Sequence, residues 1–209
     1  MEIITIFENK PIKRIYGLMG NINITTYNNN ISIVRDYKSK GTTEKYLDSP
    51  KASSSLKMVL LNDSILTKES SECSVGELKR ISLAKALIEN KEYLVFDYFE
   101  KELTQKELEY FKRLWKKLTS EYNKTIIIFT NDIKTIWSVA EELIIVDKYK
   151  VINTISKENY DQLMANLDKP PIYEFIDLMR NKGMSIENYR DPKDLLKAIY
   201  RIKEQSWNI

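Results

Sequence analysis

The residue types and spacings that could support chemistry are concentrated in residues 72–104. Ser74 is followed three residues later by Glu77 and then by an apolar run, the pattern of a capping box at the start of a helix. The apolar run 93–96, YLVF, ends on Asp97. Ligands bind outside the carboxyl ends of parallel strands, so Asp97 is a candidate site residue if this run is a buried parallel strand. An acidic residue that merely ends a strand is the alternative.

A second candidate site is the polar stretch 35–43, RDYKSKGTT, which follows a predicted strand at 31–34. Lys40, Thr42 and Thr43 in this stretch could hold a phosphate. Phosphate-cradling loops usually use several glycines, because backbone N–H groups must point inward, and the whole chain has only five. A plain surface loop that opens a short helix at Glu44 is therefore the simpler interpretation.

The segment 17–20, GLMG, with Thr25 and Thr26 after it, is another phosphate-loop candidate. It contains no lysine and lies early in the chain, so the stretch 35–43 is preferred.

Composition excludes several classes of chemistry. The chain of 209 residues has no histidine, which excludes imidazole general bases, Ser-His and Cys-His nucleophiles and histidine-ligated zinc. Cys73 is the only cysteine, so an internal disulfide and a cysteine metal cluster are excluded. The net charge of +3 comes without long basic runs, so nucleic-acid binding is not expected. No apolar stretch reaches the roughly 18 to 20 residues of a membrane span and no signal-peptide pattern is present, so we expect a cytoplasmic protein.

Hydrophobic periodicity predicts the elements that must position these residues. Strands are predicted at 3–7, 22–26, 31–34, 56–61, 93–96, 125–129 and 143–146, with a hairpin at 147–153. Helices are predicted at 44–47, from Ser74 onward, along 104–118, and at 133–141, 158–166, 171–182 and 192–205. The later series of alternating strands and helices indicates a mainly parallel α/β sheet. We predict a first domain over 1–156 and a helical C-terminal appendage over 157–209.

The order of these motifs resembles the ATP-binding-cassette (ABC) ATPases. Cys73-Ser74-Val75-Gly76-Glu77, with Arg80, is similar to the Leu-Ser-Gly-Gly-Gln signature of that family. Asp97 falls at the position of its Walker B aspartate without insertion or deletion, and Thr130-Asn131-Asp132 is similar to its Thr-His-Asp switch. The stretch 35–43 is similar to the family's phosphate loop, Gly-x-x-Gly-x-Gly-Lys-Thr-Thr. The resemblance implies a P-loop NTPase-like fold with an N-terminal antiparallel β part, a reduced helical subdomain, and ATP and Mg²⁺ as ligands. It implies as nucleotide-binding residues Lys40, Gly41, Thr42 and Thr43, and as metal ligands Thr42 and Asp97.

The same resemblance implies that the hydrolytic residues are altered. In the family a glutamate follows the Walker B aspartate and polarises the attacking water, and here Tyr98 takes that place. Asn131 replaces the switch histidine. In the stretch 35–43 most glycines are lost, and Lys40-Gly41 reverses the usual order. We therefore expect binding of ATP and Mg²⁺ to be weak or absent, and hydrolysis to be slow, with Glu100 as one possible substitute for the glutamate.

Two further features bear on partners. The family's glutamine loop follows a strand similar to residues 57–60, and its glutamine position is Leu61 here, so the helical subdomain before the signature is predicted to be shortened. The tail, with PPIYEF at 170–175, MRNKG at 179–183 and DLL at 194–196, is similar to the C-terminal helices of energy-coupling-factor transporter ATPases.

We therefore predict an accessory, non-catalytic subunit that pairs with a competent ABC ATPase, or with a copy of itself, in a transporter-like assembly peripheral to the membrane. Ser74, Gly76 and Glu77 would meet nucleotide across such a dimer. A helix cap with no other role is the alternative for these three residues, and a nucleotide-free protein-interaction module is the alternative for the protein.

Overall fold

The computed structural model describes residues 10, 12, 14–20, 29–37, 39–132, 136, 138–147, 150–156, 159 and 171–206. The chain divides into two compact units, Met1–Lys157 and Glu158–Ile209. Among the described residues, no helix is long and apolar enough to cross a membrane.

The larger unit contains a six-stranded sheet within the described residues, in the order β2-β3-β4-β1-β5-β6. The strands are Ile15–Gly20 (β1), Ile31–Val34 (β2), Tyr93–Asp97 (β3), Thr125–Phe129 (β4), Glu142–Asp147 (β5) and Lys150–Ser156 (β6). The neighbours from β2 to β5 pair in parallel. β6 pairs antiparallel with β5, as the predicted hairpin requires. The prediction of a mainly parallel α/β fold is thereby confirmed.

The described helices of the larger unit are Thr43–Leu47 (α1), Ala52–Met58 (α2), Val75–Glu89 (α3) and Gln105–Tyr122 (α4). Those of the smaller unit are Pro171–Asn181 (α5) and Pro192–Ser206 (α6). Short 3-10 turns lie at Asp63–Ile65, Ser70–Glu72 and Phe99–Glu102. Both α3 and α4 begin with a capping box, in which Ser74 and Thr104 are the N-cap residues.

The core lies where α4 packs beneath β3. Tyr93–Asp97 alternates little in hydrophobicity because its middle residues are buried on both faces. Phe96 contacts Trp115 of α4 edge to face, with ring centroids 5.2 Å apart. Phe111, Leu114 and Leu118 complete the buried stripe of α4 at helical spacing. These contacts fix where the carboxyl end of β3 emerges from the core.

The predicted strand at 56–61 is wrong. Residues 52–58 form α2, whose buried residues Ala52, Ser55 and Leu56 recur at helical spacing. The three serines at 53–55 obscured that periodicity, because serine clusters also mark loops. Leu61 therefore does not follow a strand, and it cannot hold the position of the family's glutamine loop.

Some predicted elements cannot be compared with the structure. The strands at 3–7 and 22–26 lie outside the described residues, as does the helix at 158–166 apart from residue 159. Of the predicted helix at 133–141 the structure describes residues 136 and 138–141, and of these only residue 136 is helical. The described strands within residues 1–34, β1 and β2, are parallel to their neighbours, and the antiparallel pair lies at the β5–β6 edge.

Candidate functional site

The strand order defines where a ligand would bind. The connection after β1 runs to β2, on one side of β1, and the connection after β4 runs to β5, on the other side. The connections that leave the adjacent strands β4 and β1 therefore run in opposite directions. In open parallel sheets the crevice beyond the carboxyl ends of the strands at such a reversal is the usual ligand site. The ends of β1, β4 and the neighbouring β3 carry Gly20, Thr130 and Asp97 to this edge.

Asp97 is paired with an arginine of the neighbouring strand. Val34 of β2 lies beside Phe96 of β3 in the sheet, so Arg35 and Asp97 are the next residues along the two strands. The Nε atom of Arg35 lies 3.6 Å from Oδ2 of Asp97. The Asp97 side chain is 24% exposed and that of Arg35 is 41% exposed. The predicted metal ligand therefore already has a cationic partner from its own chain.

Tyr98, at the position of the family's catalytic glutamate, has a constrained backbone. Its φ of 47° and ψ of 41° are left-handed values that non-glycine residues rarely adopt. The Tyr98 N–H donates to the carbonyl of Phe129, at 3.0 Å. The Tyr98 carbonyl accepts from Nζ of the buried Lys79, at 2.7 Å. These two bonds hold the turn after β3 against the end of β4 and against α3.

The Tyr98 side chain carries no acidic group in place of the missing carboxylate. Burial is the main cause that raises its pKa, and a hydrogen bond with the side chain of Asn131 lowers it by less. Its ring packs edge to face on Phe129, and Nζ of Lys101 lies 4.0 Å from the ring centroid. The structure thus brings Tyr98 and Asn131 together, but as a neutral pair with no proton acceptor of the required kind.

Glu100 is the buried carboxylate of this edge. Thr130 donates its hydroxyl proton to Oε1 of Glu100, at 2.6 Å, and its oxygen accepts from the N–H of Asp132, at 2.9 Å. Oε2 of Glu100 is buried and has no hydrogen-bond partner among the described residues. Burial raises the pKa of Glu100, and the bond from Thr130 and the charges of Lys79 and Lys101 only partly oppose it. This network connects the turn after β3 to the loop after β4.

The predicted signature residues lie at the start of α3. The Oγ of Ser74 accepts from the N–H of Glu77, and the Glu77 carboxylate accepts from the N–H of Ser74. The bond from the Ser74 backbone is the first cause that lowers the pKa of Glu77, which is also paired with Lys68 at 3.3 Å. A Cβ on Gly76 would approach Cβ of Glu102 to 3.3 Å. The capping-box prediction is confirmed; a role toward nucleotide stays a prediction.

The predicted nucleotide-binding stretch lies away from the reversal point. It follows β2, and two strands, β3 and β4, lie between β2 and the central strand β1. Thr42 caps α1 by accepting from the N–H of Lys45 and pairs with Glu69 in an isolated bridge. Thr43 is buried and donates its hydroxyl proton to the carbonyl of Lys68. The described bonds of Thr42 are therefore with Lys45 and Glu69, whereas Asp97 is paired with Arg35.

The alternative candidate, residues 17–20, is part of the central strand β1. Gly20 has a φ of +135°, and a Cβ there would lie 1.9 Å from the carbonyl oxygen of Val146. Only ten residues separate Gly20 from Ile31. A crossover between parallel strands usually takes a dozen or more residues, and residues 21–28 of this connection lie outside the described residues.

The described residues do not fit the magnesium site of the family. Asp97 is paired with Arg35, Tyr98 stands where the family's glutamate is expected, and Thr42 caps α1. No group of three or more acidic or cysteine side chains that could hold a metal ion occurs in the part of the chain that the structure describes.

Two residues of this edge are not among the site residues predicted from the sequence. For Arg35 a signal exists, because it directly follows a predicted strand. For Lys79 there is none, because its position on α3 gives no local sign that its amine reaches a carbonyl of the turn after β3.

Comparisons with known proteins agree with this geometry. The energy-coupling factor transporter ATP-binding protein EcfA2 of Mycoplasma capricolum is 30% identical over 138 residues, covering 64% of this chain and 48% of that protein. EcfA2 of Spiroplasma kunkelii is 28% identical over 157 residues, covering 72% and 52%. The dimeric, ADP- and phosphate-bound ATP-binding cassette MJ0796 superposes with a TM-score of 0.59 at 18% identity, over 71% of this chain and 88% of that one. No family model matches the chain.

The sheet order and the structural neighbour give this chain the fold of the ABC ATPases, and its sequence is similar to theirs. Among the ABC ATPases it resembles the energy-coupling-factor transporter ATPases. The chain spans about half the length of the curated relatives it matches.

Proposed function

We propose that this protein is a degenerate ABC-type subunit of a transporter-like assembly, which pairs with a competent ABC ATPase and does not itself hydrolyse ATP. The observation that carries this proposal is the edge beyond β3, where Arg35 neutralises Asp97 and Tyr98 replaces the catalytic carboxylate. Removing one preorganised charge-stabilising group commonly costs about 3 to 4 kcal/mol in barrier height. Several such groups are altered here, so turnover should be negligible even with strong non-additivity.

In such a pair this chain would contribute its signature helix to nucleotide held by the partner. The start of α3 retains Ser74, Gly76 and Glu77, and a helix N-terminus favours anionic phosphate. The partner is proposed as an ABC ATPase, with a membrane component of the transporter beyond it, because the relatives are named as transporter ATP-binding proteins. The protein would then lie at the membrane surface through its partners.

The first experiment measures ATP binding and hydrolysis by the purified chain. We expect weak or no binding in a titration with a fluorescent ATP analogue plus Mg²⁺, and no hydrolysis above the rate without protein. The proposal is abandoned if the isolated chain hydrolyses ATP at a rate normal for the family and Asp97→Ala removes that rate.

The second experiment tests the signature helix in the assembly purified from the native cell, scored for a second ABC ATPase. Ser74→Asp keeps a good N-cap but adds a negative charge at the start of α3, so it should fold normally and lower the ATPase rate of the assembly at least tenfold. Ser74→Asn, a neutral cap of similar size, is the matched control. Equal rates for the two variants would show that α3 does not face nucleotide.

One observation favours a second function, a protein-interaction module that binds no nucleotide. The ten-residue connection from β1 to β2 is short for a phosphate loop followed by a helix. This function is supported if the native assembly contains no second ABC ATPase and the fluorescent analogue does not bind at all.

A slow ATPase is the third possibility, because Glu100 places a buried carboxylate beside Thr130. In that case Glu100→Gln would abolish a measurable rate in the isolated chain.

A further inference from the structure

Arg35 and Asp97 are adjacent because of the sheet and not because of a chance side-chain conformation. The parallel pairing of β2 with β3 runs from Ile31 beside Tyr93 to Val34 beside Phe96, and the next position on each strand is the arginine or the aspartate. Side chains at matching positions of parallel strands point to the same face. The pairing of β2 with β3 therefore places the side chain at position 35 beside Asp97.

This ion pair has little to do with stability. Both side chains are partly exposed, and the separation of 3.6 Å is typical of pairs that contribute little to the free energy of unfolding. The pair does change the charge at this edge. A guanidinium stays protonated at all physiological pH values, so Asp97 always faces a positive charge.

We propose that Arg35 acts as a built-in replacement for the divalent cation at Asp97, so that its guanidinium excludes hard cations from this carboxylate in the native chain and loss of the arginine charge lets them bind. This inference rests on the proposed function, because only the relation to ABC ATPases makes Asp97 a metal position. A divalent or trivalent cation approaching Asp97 meets a pair of zero net charge and is repelled by the guanidinium. Removing that charge should raise affinity for a hard cation by about tenfold or more.

The test uses Tb³⁺ alone, with neither nucleotide nor partner present, so that its result is independent of whether ATP binds. Tb³⁺ prefers carboxylate oxygens, and its luminescence is sensitised by nearby tyrosine, which Tyr98 provides beside Asp97. We expect the full-length Arg35→Gln variant to gain a saturable, tyrosine-sensitised signal at least tenfold tighter than any shown by the native protein. The double variant Arg35→Gln/Asp97→Asn should lose that signal, and Arg35→Lys should behave as the native protein because it keeps the charge.

Three results would overturn the inference. One is equal Tb³⁺ affinity of the native protein and Arg35→Gln. Another is a gained signal that survives Asp97→Asn, which would place the ion elsewhere. The third needs no arginine variant: if Asp97→Asn in the native background removes a Tb³⁺ signal, the native aspartate already binds cations. Circular dichroism of each variant confirms that the compared proteins are folded.

Discussion

Glu100 connects the turn after β3 with the loop after β4 through a single hydroxyl group. The Thr130 hydroxyl donates to Oε1 of Glu100 and accepts from the N–H of Asp132. Oε2 of Glu100 has no hydrogen-bond partner among the described residues. A buried carboxylate of this kind is held more easily in its neutral form, since desolvation opposes the charge. The protonation state of Glu100 therefore affects how firmly the two loops are joined.

The pH dependence of stability should reveal this carboxylate. The pKa of Glu100 is raised in the folded protein, with Lys79 and Lys101 opposing the shift, so the native state binds this proton more tightly than the unfolded state. Its contribution to stability is present below the ordinary value near 4.5 and is lost as the pH rises through the folded pKa. Denaturant titrations across this pH range measure the free energy of unfolding of the native protein and of Glu100→Gln. As the pH rises, the native protein should lose stability relative to the variant.

Glu100→Gln is a suitable comparison because its amide oxygen can still accept the proton of Thr130. The depressed pKa values of Glu77 and Glu107 give slopes of the opposite sign, but these occur in both proteins and cancel. A difference that stays constant with pH would show that Glu100 titrates as an ordinary surface carboxylate.

At the scale of elements, the central strand β1 depends on Gly20 for its approach to β5. Gly20 pairs with Val146, and a Cβ would lie 1.9 Å from that residue's carbonyl oxygen, too close for any rearrangement short of moving the strand. We expect Gly20→Ala to cost about 4 kcal/mol or more of stability, or to prevent folding.

Gly41→Ala is the matched control in the same unit. Gly41 also has positive φ, at +96°, but its Cβ would meet only the flexible Lys45 side chain, at 3.2 Å. It should cost about 1 to 2 kcal/mol, the strain of a left-handed residue alone. Urea denaturation followed by circular dichroism measures both variants, and equal losses would mean that the contact with β5 does not matter.

At the scale of the whole molecule, the smaller unit has its own apolar core. Ile176 of α5 is fully buried against Ile186 and Leu195. Ile176→Ala should cost about 2 to 5 kcal/mol through the lost contacts and the cavity left behind. If the two units unfold separately, hydrogen exchange should accelerate in α5 and α6 but not in β1, β3 or β4.

Leu178→Ala, on the same helix, is the control because that side chain is 58% exposed. Its effect should stay within about 0.5 kcal/mol. Faster exchange throughout the sheet in Ile176→Ala would contradict the separation and indicate one cooperative unit.

Features that depend on neighbours along the chain were predictable. The buried runs 93–96 and 125–129 became β3 and β4, and the capping box of Ser74 and Glu77 formed as the spacing indicated. Within α2, by contrast, three serines hid a helical stripe, because Ser55 can be buried in a helix as readily as it can occupy a loop. Hydrophobic pattern predicts an element only where its polar residues face outward.

By itself, then, the sequence determined the type of fold, the order of its motifs and the identity of residues at family positions, including Tyr98 and Asn131. Only the tertiary structure decided that β1 lies in the middle of the sheet and that Arg35 neutralises Asp97. The physical reason is how far apart in the sequence the interacting residues lie. Caps and amphipathic faces are set by residues three or four apart, whereas Arg35 and Asp97, with 61 residues between them, meet only when β2 and β3 pair.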